Sequence, residues 1–215
     1  MRKLAPDAFA DVTAIYKMTS PDGSGVQTIR YQDKQHIRVD MNTGANNMNM
    51  LKLGDKVYSI TGKVVQDMSQ LADMMAAMGR GGKGSKVKHV KESQIKYEDT
   101  GRTETIAGIE GKVYRFVERG RQHEVVLGKN KDLQDAVSGL MEVSKPSMGM
   151  ISDENPVHQM PKDESMKSMA MLRLDDDVRL QSMNTNAISD SFFVLPAKPQ
   201  QMGGLEGLVK RLPRR

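Results

Sequence analysis

Residues 36–42 read HIRVDMN, and this short segment alternates between polar and apolar side chains at every step. Ile37, Val39 and Met41 fall on one side, and charged or amide side chains separate them. A period of two is typical of a β-strand that buries one face and exposes the other. The segment therefore predicts a strand whose apolar face contributes to a core.

The same alternation continues in both directions, from residue 11 to residue 68, and turn residues interrupt it at short intervals. Thr61-Gly62 is a two-residue hairpin signal, and residues 20–25 contain the proline and glycines of a longer turn. Short alternating segments joined by tight turns are typical of antiparallel sheets. We predict six strands in this part of the chain.

Strand patterns return in the second half of the chain. They cover residues 93–98, 104–109, 112–118, 122–127, 169–175, 178–186 and 192–195. Two segments have helical spacing instead: residues 68–78, with Ser69 as the N-cap and Gly79 as the stop, and residues 131–143, with Asn130 as the cap. Residues 144–165 hold three prolines and few hydrophobic residues, which predicts a long loop.

About eleven short strands with a few helices placed between them predict an α+β fold. An antiparallel sheet of that size twists strongly and curls. We therefore expect an unclosed half-barrel with helices in or over its concave face. The predicted domain spans residues 9–200, and residues 201–215 form a basic tail with a short amphipathic helix.

The amino-acid composition argues against several classes of function. The chain has 215 residues and no cysteine, so disulfides, thiolate nucleophiles and thiolate zinc sites are absent. Its four histidines are far apart in the sequence, and none has a partner at ligand spacing. In the glycine-rich stretch, Ser85 stands where a phosphate loop needs lysine. We predict a protein that is not an enzyme and has no cofactor.

The formal net charge of +5 is concentrated in residues 80–91 and 206–215. A nucleic-acid-binding face would spread positive charge over a folded surface with aromatic side chains between, and this chain has no Trp and only 4% aromatic residues. We therefore expect no nucleic-acid partner. The tail suits peripheral contact with an anionic membrane or, as we favour, packing on its own domain.

Methionine is unusually abundant, with 18 residues. Its flexible thioether fills irregular cores and also suits the lining of an adaptable ligand site. Thioethers also bind Cu(I), and Met148, Met150 and Met160 lie in the predicted loop, where burial does not explain them. A Cu(I)-binding protein is therefore one alternative. A structural or interaction module whose side chains fill its own cavity is another.

Scattered stretches of the chain resemble one bacterial family. They are residues 9–12 (FADV), 36–40 (HIRVD), 56–60 (KVYSI), 105–109 (TIAGI), 113–115 (VYR), 171–174 (MLRL) and 192–196 (FFVLP). Together they are similar to strands of the outer-membrane lipoprotein carriers, the LolA-like half-barrel superfamily. Carriers of this family hold their lid shut with an arginine in the cavity, and Arg38 and Arg173 are the two candidates here.

This resemblance implies a periplasmic protein whose half-barrel cavity, covered by helices, holds a lipid or an acyl chain. The segment from Met1 to Pro6 lacks the apolar stretch of a secretory signal, so a periplasmic location presumes that the signal has been removed. The glycine-rich stretch from residue 79, the methionine-rich helix and the basic tail depart from what a standard carrier would contain.

The leading hypothesis is a non-enzymatic periplasmic carrier that binds a hydrophobic small molecule or lipid. Face alternation selects the candidate cavity lining, and a register error would invert a whole strand. The selected residues are Tyr16, Met18, Val39, Met41, Met48, Met50, Val57, Met74, Met75, Met78, Val113, Val125, Met171 and Phe193.

Overall fold

A computed structural model describes residues 11–21, 23–44, 47–68, 95–118, 120–147 and 168–200. The strands are β1 Val12–Ser20, β2 Gly23–Asp33, β3 His36–Asn42, β4 Asn47–Leu53, β5 Lys56–Thr61, β6 Val64–Asp67, β7 Glu98–Ile106, β8 Ile109–Glu118, β9 Arg121–Gly128, β10 Ala170–Leu174 and β11 Val178–Asn184. Helix α1 spans Lys131–Ser144, and 3-10 turns cover Lys145–Ser147 and Asp190–Phe193.

The strands form a single antiparallel sheet in the order β6-β5-β4-β3-β2-β1-β11-β10-β9-β8-β7. The first six strands are sequential hairpins, and the last strand returns to pair with the first. Among the described strands, β6 and β7 are the two edges and do not pair with each other. The predicted α+β class and unclosed half-barrel are confirmed.

Salt bridges across distant strands show how strongly the sheet curls. The Arg179 guanidinium on β11 lies 3.0 Å from the Glu104 carboxylate on β7, four strands away in the sheet order. A flat sheet would separate those strands by about 19 Å, further than the two side chains reach together. The β7–β11 end of the sheet is therefore curled.

Helix α1 packs on one face of the sheet. The Asn130 side chain caps it by accepting a hydrogen bond of 2.9 Å from the Leu133 amide, as the sequence predicts. Gly139 sits so close to the sheet that an added Cβ would lie 2.9 Å from the Tyr31 ring and 3.1 Å from Ile37. We call the face that carries Tyr31 and Ile37 the helix face.

Residues 185–200 follow the opposite face of β3–β6, and we call them the outer segment. Phe193 and Ile188 are buried there in a small cluster with Leu51 and Tyr58. The amide of Ile188 donates a hydrogen bond of 2.7 Å to Asp11, and Gln200 bridges to edge strand β6. Strands β3 and β4, which α1 also contacts, are therefore covered on both faces.

Three predicted strands are wrong. Residues 93–98 and 104–109 are not two strands: β7 covers Glu98–Ile106, and a turn at Ala107-Gly108 follows. Both turn residues have positive φ, 50° for Ala107 and 79° for Gly108, and alanine gives no signal for that conformation.

The predicted closing strand at 192–195 is a 3-10 turn, Asp190–Phe193, which begins at a Ser189 cap. Several other predictions fall outside the described residues. These are the helix from Ser69 onward, most of the loop after α1, and the basic tail.

Candidate functional site

An apolar row crosses the helix face of five adjacent strands and forms the candidate site. The strand register places Leu180, Tyr16, Gln27, Met41 and Met48 side by side, from β11 through β1, β2 and β3 to β4. Opposite residues in antiparallel strands share a face, so these side chains lie on the face of Tyr31 and Ile37. We call this set the methionine row.

Exposure rises along the methionine row. Tyr16 is 3% exposed and Gln27 is 6% exposed, whereas Met48 at the other end is 50% exposed. Met41 lies between them and is half-buried, and so is Met18, two residues along β1 from Tyr16. The row therefore leads from the interior to the surface through flexible thioether side chains.

The methionine row lies beside the part of the sheet that α1 touches, rather than beneath it. Helix residue Gly139 contacts Tyr31, and Gln27 is four residues away along the same strand. Four residues of extended chain correspond to about 13 Å. Lys52 and Glu142, whose charged groups are 4.0 Å apart, also lie at the Tyr31 end.

Tyr16 anchors the buried end of the row. Its hydroxyl donates a hydrogen bond of 2.9 Å to the Met171 carbonyl oxygen on β10. Burial raises the pKa of Tyr16 well above its ordinary value, so the hydroxyl keeps its proton at neutral pH. The ring thus presents an apolar surface to the row while its polar atom is satisfied.

Gln27 is the polar exception within the row. It is one of the few buried polar residues, at 6% exposure, and it lies between Tyr16 and Met41 by register. Within the described parts of the chain, no hydrogen bond reaches its side-chain amide. Sequence reasoning missed this residue because an isolated glutamine in a strand gives no signal of burial.

Most of the predicted lining residues lie in the main core. The buried ones are Tyr16, Val39, Met50, Val57, Val113 and Val125, and Met171 packs partly buried against them. Met18, Met41 and Met48 share the helix face and are less buried. Met74, Met75 and Met78 lie outside the described residues.

Two predicted lining residues do not share the helix face. Val113 pairs with Val126, whereas the helix-face residue Val125 pairs with Tyr114, so the prediction for Val113 is wrong by one position in its strand and its side chain lies on the opposite face. Phe193 is the second. It belongs to the outer-segment cluster on the opposite face, because the chain forms a 3-10 turn there instead of a strand.

The two candidate arginines also lie on that face. Arg38 pairs with Asp40 at 2.8 Å and donates a hydrogen bond of 3.0 Å to the Phe192 carbonyl oxygen. Neither contact involves the methionine row.

Arg173 belongs to a charged network that the sequence did not predict. Its guanidinium lies 2.7 Å from Glu124 and 3.0 Å from Glu104, and Arg102 also pairs with Glu124. The hydrogen bond from Arg173 lowers the pKa of Glu124, against the opposing effect of its partial burial. The network joins strands that are distant in sequence, so only the folded sheet reveals it.

Other features of the described residues give no support to a metal site or a membrane span. No group of three or more His, Asp or Glu side chains in the described ranges is arranged to hold a metal ion. The described part of the chain has no helix long and apolar enough to cross a membrane. The alternative copper ligands Met148, Met150 and Met160 lie outside it.

Two open grooves occur elsewhere on the surface. One, of about 410 Å³, is lined by Lys17, Val26 and Asn42 among others, and alternation places these side chains on the face opposite the methionine row. The other, of about 400 Å³, runs beside residues 95–98 and the ends of β8 and β9. Both are shallow and mixed in polarity, and neither gathers the predicted lining residues.

Comparison with known proteins gives no family assignment. No family model matches the chain, and no curated protein matches it significantly.

Proposed function

We propose that the protein binds a hydrophobic ligand, a lipid or an acyl chain, at the methionine row and carries it without chemical conversion. The observation that supports this proposal is the exposure gradient from buried Tyr16 to Met48, which is 50% exposed. An apolar strip that runs from the core to the surface and is lined by adaptable side chains suits a ligand of variable shape. The resemblance to lipoprotein carriers favours the same class of ligand.

The helix face supplies the physical basis for binding. A ligand chain lying along Met41 and Met48 would remove their exposed apolar surface from water, at about 25 cal/mol per Å². Binding would therefore be driven by burial, with a negative change in heat capacity. A periplasmic carrier of this kind needs no catalytic residue.

Fluorescence titration with 1-N-phenylnaphthylamine, an apolar dye that brightens out of water, tests the proposal. We expect saturable binding to the purified protein and about fivefold weaker binding to the double variant Met41→Gln, Met48→Gln. Val194→Gln is the control, because Val194 is 62% exposed in the outer segment, away from the row.

Equal affinity for all three proteins, or no saturable binding, would reject the site. Solvent extraction of protein from its native source, followed by mass spectrometry, gives a second readout. A ligand-free protein that also fails to take up the dye would instead support the structural-module alternative.

A further inference from the structure

We propose that Gln27 is the polar anchor of the methionine row, and that the ligand it holds carries an uncharged carbonyl head, an ester or an amide, on its acyl chain. This inference rests on the proposed function, and it adds the chemical class of the ligand.

The burial of Gln27 is the starting observation. The residue is 6% exposed, and its side-chain amide makes no hydrogen bond within the described ranges. A buried amide without a partner is unfavourable, and native proteins satisfy such groups with water or a ligand. Among the described residues, the Gln27 side chain therefore leaves one donor group and one acceptor for whatever enters the row.

The surroundings of Gln27 select an uncharged head. Its neighbours in the row are Tyr16, whose hydroxyl proton is already donated to Met171, and the thioether of Met41. The nearby Lys17 alternates with Tyr16 along β1 and so lies on the opposite face. A carboxylate beside Gln27 would be buried without a countercharge from the described residues, which is strongly unfavourable.

An ester or amide carbonyl meets these conditions. Its oxygen accepts a hydrogen bond from the Gln27 side-chain NH₂ group, and it brings no charge into the apolar row. The attached chain then extends over Met41 toward the exposed Met48, which is the open end of the row. The flexible methionine side chains can adjust to chains of different thickness.

The test compares wild-type protein with Gln27→Met and Gln32→Met. Methionine is close in size to glutamine, so Gln27→Met removes the polar atoms and keeps the volume. Gln32 is the matched control: it is a buried glutamine of the same strand, 8% exposed, at the end distant from the row. Each protein is titrated with methyl laurate, with laurate and with 1-N-phenylnaphthylamine, which has no carbonyl group.

We expect Gln27→Met to bind methyl laurate about fivefold more weakly than wild type, with dye affinity equal or higher because methionine adds apolar surface to the row. Gln32→Met should bind methyl laurate and the dye with the affinities of wild type. Wild type should bind methyl laurate more tightly than laurate. If Gln27→Met does not fold, Gln27→Leu replaces it.

Unchanged affinity of Gln27→Met for methyl laurate would overturn the inference. An equal loss of methyl laurate binding and dye binding would also overturn it, because it would indicate a purely structural role for Gln27. Dye binding by wild type separates the two proposals: if the dye binds and Gln27→Met has no effect, only the anchor is wrong. If wild type binds neither dye nor methyl laurate, the proposed function fails as well.

Discussion

Glu124 is a carboxylate whose ionisation depends on its hydrogen bonds in the folded sheet. The hydrogen bond from Arg173 lowers its pKa below the ordinary value of 4.5, burial opposes this shift, and Arg102 adds to the lowering. Because the folded-state pKa is the lower one, the ionised carboxylate stabilises the fold above the unfolded-state pKa. That stabilisation is lost as the pH falls through the folded-state pKa.

We therefore expect the free energy of unfolding to fall on acidification below about pH 4.5 in wild type, and to fall less in Glu124→Gln. At neutral pH the variant should be less stable by about 1 kcal/mol, since its partners are partly exposed. Urea denaturation at several pH values measures both effects. Glu110→Gln, at an exposed site on β8, is the control. If the free energy of unfolding of that variant depends on acidic pH as weakly as that of Glu124→Gln, the assignment to Glu124 is wrong.

At the scale of secondary-structure elements, α1 is held close to the sheet by a glycine. A Cβ on Gly139 would approach the Tyr31 ring to 2.9 Å and Ile37 to 3.1 Å, so a larger side chain must push the helix outward. We expect Gly139→Val to lose about 2 kcal/mol more stability than Ser138→Val, because the clash at position 139 outweighs the small gain in helix propensity from glycine to valine, whereas Ser138 is exposed.

Thermal or chemical denaturation of the two variants checks this difference. Equal losses would mean that α1 does not approach the sheet as closely as described. If Gly139→Val also weakens dye binding, the helix position contributes to the site as well as to stability.

Elements also show where sequence reasoning succeeds and where it stops. The alternation around Val39 and the Asn130 cap are local signals, and both gave the correct element. Ala107 has a φ of 50°, which no local sequence signal indicates, so the sequence predicts a strand where the chain turns. Phe192 and Phe193 have strand propensity, yet packing against Leu51 and Tyr58 places their segment in a 3-10 turn.

At the scale of the whole molecule, face alternation predicts which residues lie on the helix face better than it predicts which of them are neighbours. Tyr16, Met41 and Met48 share a row because the hairpin registers align them, and period-two patterns already place each of them on one face. Long-range packing is different: the contacts of Glu104 with Arg173 and Arg179 depend on the curl of the sheet. The sequence predicts that the sheet curls, but it does not show which charged residues the curl brings together.

The most direct test of the central claim follows methionine methyl groups by NMR in protein labelled with ¹³C at those methyls. The chain has 18 methionines, and Met18, Met41 and Met48 on the helix face are among them. On addition of methyl laurate, we predict shifts for Met18, Met41 and Met48, with the signal of Met169 unchanged. Saturating ligand that leaves those three signals in place, or that moves only methionines elsewhere in the chain, would contradict binding at the methionine row.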